Sequence, residues 1–385
     1  MSDVVIAGIG QVPVGEHWNT SLRSLAAQAI FAARKEIPDL EPESIYIGNS
    51  LGSMVSHQSN LGSLLADWSN LLGVEGTTAE AGGASGGAAL RLGYLAVKSG
   101  FVKVAVVVGV EKVSDTNTRN LDRILSYTMD ADHEAVPGLT PAGQAGLVMR
   151  RYMEKYNVPQ GGFAGFPINA HANAVYNPNA MYRKAISREA YDKAGMVSDP
   201  VNLMDAAPLA DGAAALVITR SDMLPKNYNH PVIRISGANI VTDTLALHDR
   251  ANPDEFRAAA ISVERTLTMA GKILEDIDLF ELDDAYSVYA AIALEAAGFA
   301  EPGKGWQLAQ EGGISLKGKI PICTLGGSKA RGNPIGATGV YQVVEAVQQL
   351  RGSAGASQVK DARIALTQCW GGPASTVATH LLEMV

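Results

Sequence analysis

The sequence is short of cysteine, aromatic residues, net positive charge and long apolar runs, and each shortage removes a class of protein. Two cysteines in 385 residues, Cys323 and Cys369, cannot build a disulfide framework, and neither stands in a zinc-ribbon spacing. No stretch reaches the roughly 18 uninterrupted apolar residues of a membrane span, and the opening MSDVVIAGIGQ has no basic region ahead of an apolar core. The expectation is a cytoplasmic chain in a reducing compartment, without membrane contact. With 31 basic against 39 acidic residues the net charge is −8, and no basic stripe exists to neutralise a phosphate backbone, so nucleic acid is not expected as a partner.

What is present is small and apolar. Hydrophobic residues make up 47% of the chain and glycine contributes 40 positions, a composition in which helices can approach strands closely. Short β-branched runs alternate with Ala/Leu-rich stretches: Val4–Ala7, a helix near Leu22–Arg34, Ser44–Ile47, a helix near Asn60–Leu72, and Val104–Val108. This alternation predicts an α/β protein with helix-covered sheets. Residues 115–183 break the rhythm and read as a cap inserted over the core. Strand patterns return at Ala214–Ile218, Val232–Ile240, Leu279–Leu282, Ile320–Cys323, Ala362–Cys369 and Thr376–Leu382. The second half also repeats a device of the first, a Gly-rich turn before a helix that stops at glycine. Gly82–Gly87 precedes Ala88–Lys98 and Gly100; Gly326–Gly332 precedes Ala337–Leu350 and Gly352. The chain therefore divides into a first half (1–114 with 184–225), the cap (115–183) and a second half (226–385).

A Gly-rich turn opening a helix aims unpaired N–H groups and the positive end of the helix dipole at one point, which suits an oxyanion. The same glycines also serve packing alone, and two turns of one design are what bring a functional reading level with that one. Gly8 and Gly10 lack the third glycine of a dinucleotide loop. The acidic run Asp130–Glu134 reads as a solvated loop ahead of a metal site, and no metal ligand is assigned.

Several stretches then point to one family. Val4–Gly10 (VVIAGIG), Glu80–Ala89 (EAGGASGGAA), Val107–Lys112 (VVGVEK), His171–Ala174 with Asn177-Pro178, Asp211–Ala215 (DGAAA), Glu281–Tyr286 (ELDDAY) and Gly332–Gly339 (GNPIGATG) run in order along the chain. In these the sequence resembles the thiolases, in particular the sterol-carrier-linked and archaeal acetyl-CoA acetyltransferase branch. The resemblance implies two βαβαβαββ halves in a five-layered α/β/α/β/α core with a cap. It also implies a coenzyme A thioester as substrate, no covalently bound cofactor, at least a homodimer, and a possible zinc-ribbon/OB-fold acyl-CoA-binding partner.

The departures from the family carry as much information. Its nucleophilic cysteine sits two positions ahead of Ser85-Gly86, where this chain has Gly83, which offers no side chain to acylate. Ser85 reads as a helix cap with a possible substrate contact. Asn333 replaces the family histidine of the Gly-His-Pro turn; it can donate a hydrogen bond to a thioester oxygen but takes no proton from a thiol. The alternative is that Asn333 only satisfies turn amides. Asp283 stands at a His or Asn position and is a candidate base, while the neighbouring Asp284 is structural because adjacent strand residues face opposite ways. Tyr286 adds a phenol where the branch has Phe, as donor or as packing. Cys369, in the Cys-x-Gly stretch 369–371, matches the family's proton-shuttling cysteine, with Gly371 and Gly372 among the backbone donors, Gly332 as a substrate contact, and Cys323 as packing. Read together, Cys369, Asp283, Asn333 and Tyr286 form a candidate catalytic set beside the Gly83 amide. Retro-aldol or other chemistry without an acyl-enzyme fits that set. The alternatives are a non-catalytic subunit that binds CoA esters or scaffolds a partner, and an acetyl-CoA C-acetyltransferase with a variant site.

Overall fold

A computed structural model describes residues 2–385. The first half builds β1 (Val4–Gln11), α1 (Leu22–Lys35), β2 (Ser44–Gly48), α2 (Gly52–Val55), α3 (Leu61–Trp68), β3 (Glu75–Ala79), α4 (Ser85–Ser99) and β4 (Val104–Glu111). The chain then leaves the sheet for α5 (Thr118–Ser126), α6 (Pro141–Tyr156), α7 (Gly165–Ala174), α8 (Arg188–Asp192) and the small hairpin β5 (Met196–Ser198) and β6 (Val201–Asn202), and returns as β7 (Gly212–Arg220). The second half follows with β8 (Ile233–Thr242), α9 (Arg257–Ala270), β9 (Leu279–Glu281), α10 (Ser287–Ala297), α11 (Gly305–Gln310), α12 (Thr338–Leu350), β10 (Ile364–Gly371) and β11 (Thr376–Met384).

Nine strands run in the order β3-β2-β4-β7-β1-β8-β11-β10-β9. Within each half the parallel pairs lie outermost and the antiparallel ones toward the middle. The halves join through two residue pairs, Val5 with Arg234 and Ile6 with Ile233. Strands β2 and β4 are buried along their whole length, which requires cover on both faces. Helices α1 and α3 cover one outer face, α9 and α10 the other, and α4 with α12 form the layer between the two half-sheets. This is the five-layered α/β/α/β/α arrangement of the thiolase resemblance.

The expected strand at Ile320–Cys323 is corrected to a single bridge between Phe280 and Ile322. Pro321 has no N–H to give a ladder, and Cys323 takes a left-handed φ of 47°. That stub occupies in the second half the place that β3 fills in the first, so the duplication holds in strand order and fades at one edge. The cap is more regular than its sequence rhythm implies. Asn117 caps α5 by accepting from Asn120 N, and Thr140 caps α6 by accepting from Gly143 N, with Pro141 in the first turn. Within the acidic run, Asp130 accepts from His133 N, and buried Glu134 accepts from Leu247 N, which ties the cap to the second half.

The middle layer decides where the site lies. A Cβ on Gly48 would stand 2.5 Å from Gly86 Cα, and one on Gly339 would stand 2.6 Å from Gly87 N. Glycine at these points lets α4 sit on its sheet and cross α12 at backbone contact. The N-terminal ends of the two helices, marked by Gly83 and Thr338, thereby line one cavity.

Candidate active site

That cavity holds about 230 Å³ and draws on every part of the chain. The first half gives Gly83; the second gives Asp283, Tyr286, Asn333, Thr338 and Gly372; the cap closes it with Leu125, Met129 and Pro141. Five of the residues singled out from sequence, Gly83, Asp283, Tyr286, Asn333 and Gly372, therefore meet at one place.

Asp283 follows β9 and is 7% exposed. Its Oδ1 accepts from Ala285 N at 3.1 Å and its Oδ2 from Trp370 N at 3.2 Å. Burial raises its pKa to about 7, reinforced by the charge of Asp284 and opposed by those two amides. Both protonation states are therefore accessible near neutrality. Asp284 faces the other way and accepts from Ser328 N and Lys329 N, pinning the Gly326–Gly332 turn to the strand end. Tyr286 precedes α10; burial, then the nearby Asp122 and Asp283 carboxylates, raise its phenol well above the ordinary value, so it keeps its proton.

Asn333 satisfies the turn, as one of its two readings expects. Its Oδ1 accepts from Ile335 N (3.1 Å) and Thr338 Oγ1 (3.0 Å), which orients the amide, while among the described residues its Nδ2 has no partner and remains a donor for the cavity. The backbone N–H groups of Gly83 and Gly372 likewise have no acceptor among the described residues. Three donors thus border one hollow, two of them just ahead of helix N-termini and one in the turn between β10 and β11, an arrangement suited to a thioester or enolate oxygen.

Position 83 is closed as well as vacant. A Cβ there would stand 2.3 Å from the Trp370 carbonyl oxygen, and one on Gly371 would stand 2.5 Å from Ala81 O. The 81–83 segment lies against the end of β10 in space that a side chain would need.

Five residues singled out from sequence fall outside the cavity. Cys369 is 1% exposed, and its Sγ lies 3.9 Å from both Ala84 O and Ala378 O, turned into the middle layer. A Cβ on Gly87 or Gly339 would stand within 2.7 Å of that sulfur, and burial pushes the thiol up to about 12. The proton-shuttle role drawn from the family is withdrawn for Cys369, because alternation along β10 presents Trp370 to the cavity and Cys369 to the opposite face. Ser85 is fully buried, donating to Gly82 O at 2.6 Å and accepting from Ala81 N at 2.9 Å, so its hydroxyl is committed to holding the turn. Gly332 serves the turn at φ 105°, where a Cβ would meet Val14, and Gly371 stacks on Ala81. Cys323 is buried as packing.

Sequence reasoning missed Tyr289, Trp370 and the cap residues. Tyr289 stands three positions beyond Tyr286 on the face of α10 that meets the site, a signal present in the helical spacing. Trp370 was legible only through the strand alternation that excludes Cys369. Asp122, Leu125 and Met129 had no signal beyond lying in the cap.

Comparison with known proteins agrees with this architecture. The N-terminal domain model of the thiolases matches residues 4–222, and the thiolase C-terminal domain-like model matches residues 240–384. An acetyl-CoA acetyltransferase of Methanothermobacter thermautotrophicus is 34% identical, with 100% of both chains covered. The benzoylsuccinyl-CoA thiolase subunit BbsB of Thauera aromatica is 28% identical over 96% of this chain and 94% of its own. The solved Ltp2-ChsH2(DUF35) aldolase shares the fold at a TM-score of 0.84 and 22% identity, over 99% of this chain and 98% of that one. From the duplicated core to the paired helix ends and the two matching domain models, the chain belongs to the thiolase family.

Proposed function

We propose that this chain is an acyl-CoA enzyme that breaks or forms a carbon–carbon bond by acid–base and oxyanion chemistry, with retro-aldol cleavage of a β-hydroxyacyl-CoA as the reaction. The observation that carries this reading is position 83, where a Cβ would stand 2.3 Å from the Trp370 carbonyl oxygen and the side chain is hydrogen alone, beside a cavity bordered by a carboxyl whose pKa burial raises to about 7. In the forward direction the Asp283 carboxylate takes the β-hydroxyl proton. The Cα–Cβ bond breaks, its electron pair moves into the thioester to form an enolate, and the β-carbon leaves as an aldehyde or ketone. Gly83 N–H, Gly372 N–H and Asn333 Nδ2 hold the enolate oxygen. The proton now on Asp283 returns to Cα and releases the shorter acyl-CoA, so no other acid is consumed. Tyr286, which stays protonated, donates a hydrogen bond to the departing oxygen.

That a fold neighbour is an Ltp2-ChsH2(DUF35) aldolase, named for two components, supports both the reaction class and the zinc-ribbon/OB-fold partner, which would help hold the CoA. A second reading, a non-catalytic CoA-ester-binding subunit, draws on the two amides that already occupy the Asp283 oxygens. Turnover separates the two. A panel of β-hydroxyacyl-CoAs, followed by mass spectrometry, is expected to give a shorter acyl-CoA and a carbonyl product, with no acetyl adduct on residues 80–90 after exposure to acetyl-CoA. An adduct there, or thiolysis of a β-ketoacyl-CoA by free CoA, overturns the reading; silence across the panel with and without the partner favours the binding subunit.

A further inference from the structure

The charged side chains that line the cavity are all of one sign. Asp122 and Leu125 stand one turn apart on α5 and both face the cavity, followed by Met129 just beyond the helix. Leu121 and Ile124 of the same helix pack with Leu51, Val55 and Ile335, which sets the direction in which Asp122 points. The Asp122 carboxyl is half-buried and, among the described residues, has no hydrogen bond and no ion pair; burial alone raises its pKa above the ordinary value. The other polar cap side chains at the cavity are already engaged, Thr128 Oγ1 with Leu125 O and Gln144 Nε2 with Glu134. The core supplies a second carboxyl, Asp283, and both carboxyls act on the Tyr286 phenol. Among the described residues lining the cavity there is no lysine, arginine or histidine. The buried cations Arg250 and Lys329 give their N–H groups to carbonyl oxygens elsewhere, those of Thr244 and Pro373 and that of Asp205. On α5 itself Arg119 and Arg123 are exposed, and Arg123 donates to Tyr127 Oη.

We infer that Asp122 is a specificity-determining residue: together with Asp283 it makes the cavity take acyl-CoAs whose acyl group is uncharged and turn away those whose acyl group ends in a second carboxylate. This rests on the acyl-CoA reading above. A carboxylate seated between the cap and the core gives up water, meets two groups of its own sign and finds no counter-ion. An amide or hydroxyl in the same place brings the donor that Asp122 lacks. Discrimination of this kind comes from a repulsive element in the wall. The rule is one of charge and sets no bound on the length or bulk of the acyl group.

Three CoA thioethers of matched shape test this without turnover. In S-(3-carboxypropyl)-CoA, S-(3-carbamoylpropyl)-CoA and S-(4-methylpentyl)-CoA the same three-carbon chain ends in a carboxylate, an amide or an isopropyl group. Calorimetric titration of the full chain at about pH 8 is expected to show the carboxylate at least about thirtyfold weaker than the amide and weaker than the isopropyl compound as well. In Asp122→Asn, which keeps the shape and removes the charge, the ratio of carboxylate to amide is expected to fall to about fivefold or less; Asp122→Ser takes its place if that variant does not fold. Equal affinity for carboxylate and amide in the parent chain, or a ratio that the variant leaves unchanged, overturns the inference and leaves the acyl-CoA reading standing. Failure of all three compounds to bind overturns the acyl-CoA reading itself.

Discussion

Asp283 sits where reactivity and stability pull in opposite directions. Its ordinary range is near 3.8 and its folded value is about 7, so the folded chain holds this proton more tightly than the unfolded chain does. The stability linked to it is therefore complete below about pH 4 and is lost as pH rises through 7, where the carboxylate proposed as the base forms. Asp283→Asn is expected to lower kcat by about 10²- to 10⁴-fold. The same variant is expected to gain urea resistance at pH 8 but not at pH 4, by a few kcal/mol at most; equal pH dependence in both proteins would show that Asp283 is not the group that titrates. The parent kcat/KM is expected to rise through pH 7. Asp283 was readable from sequence because it replaced a family side chain with another titratable one. Cys369 misled for the complementary reason: its motif survives, but its one-residue offset from Trp370 sends the sulfur to the opposite face.

Among elements, the contact between the turn before α4 and the end of β10 governs the chemistry. The Trp370 carbonyl fills the space where a Cβ at position 83 would go, so placing a cysteine there asks two backbones to part. Gly83→Cys is expected to lose about 1–3 kcal/mol of stability and to show no acetyl adduct by mass spectrometry. An adduct with wild-type stability would mean that β10 yields easily. The alternating strand and helix patterns made most elements legible, along with both Gly-rich turns. Strand β3 escaped because Glu75–Ala79 lies exposed at an edge and carries none of the apolar signal of its neighbours. In the cap, Thr140-Pro141 is a helix start that composition alone obscured.

At the scale of the whole molecule, buried charge joins segments that lie far apart in sequence. Asp211 accepts from His17 N, Val113 N, Ser114 N and Ser114 Oγ, and stands 3.1 Å from the buried Lys112 ammonium. Asp211→Ala leaves Lys112 without that counter-charge, with Asp115 as its remaining carboxylate, and is expected to cost about 3–5 kcal/mol in chemical denaturation; a loss below 1 kcal/mol would show that Asp115 suffices. Glu111 makes a second such junction, accepting from Asn49, Ser50, Leu51 and Gly336, and so binds the first half to the turn before α12. None of the described helices is long and apolar enough to cross a membrane. The duplication was legible in the paired turns, whereas the cavity depended on how the two copies face each other across α4 and α12, which no local pattern encodes. Because the hollow opens where the two copies meet beneath the cap, its chemistry is heritable only as a joint trait. One altered clearance in the earlier copy redefines the work open to side chains carried by the later one, even when those side chains never change.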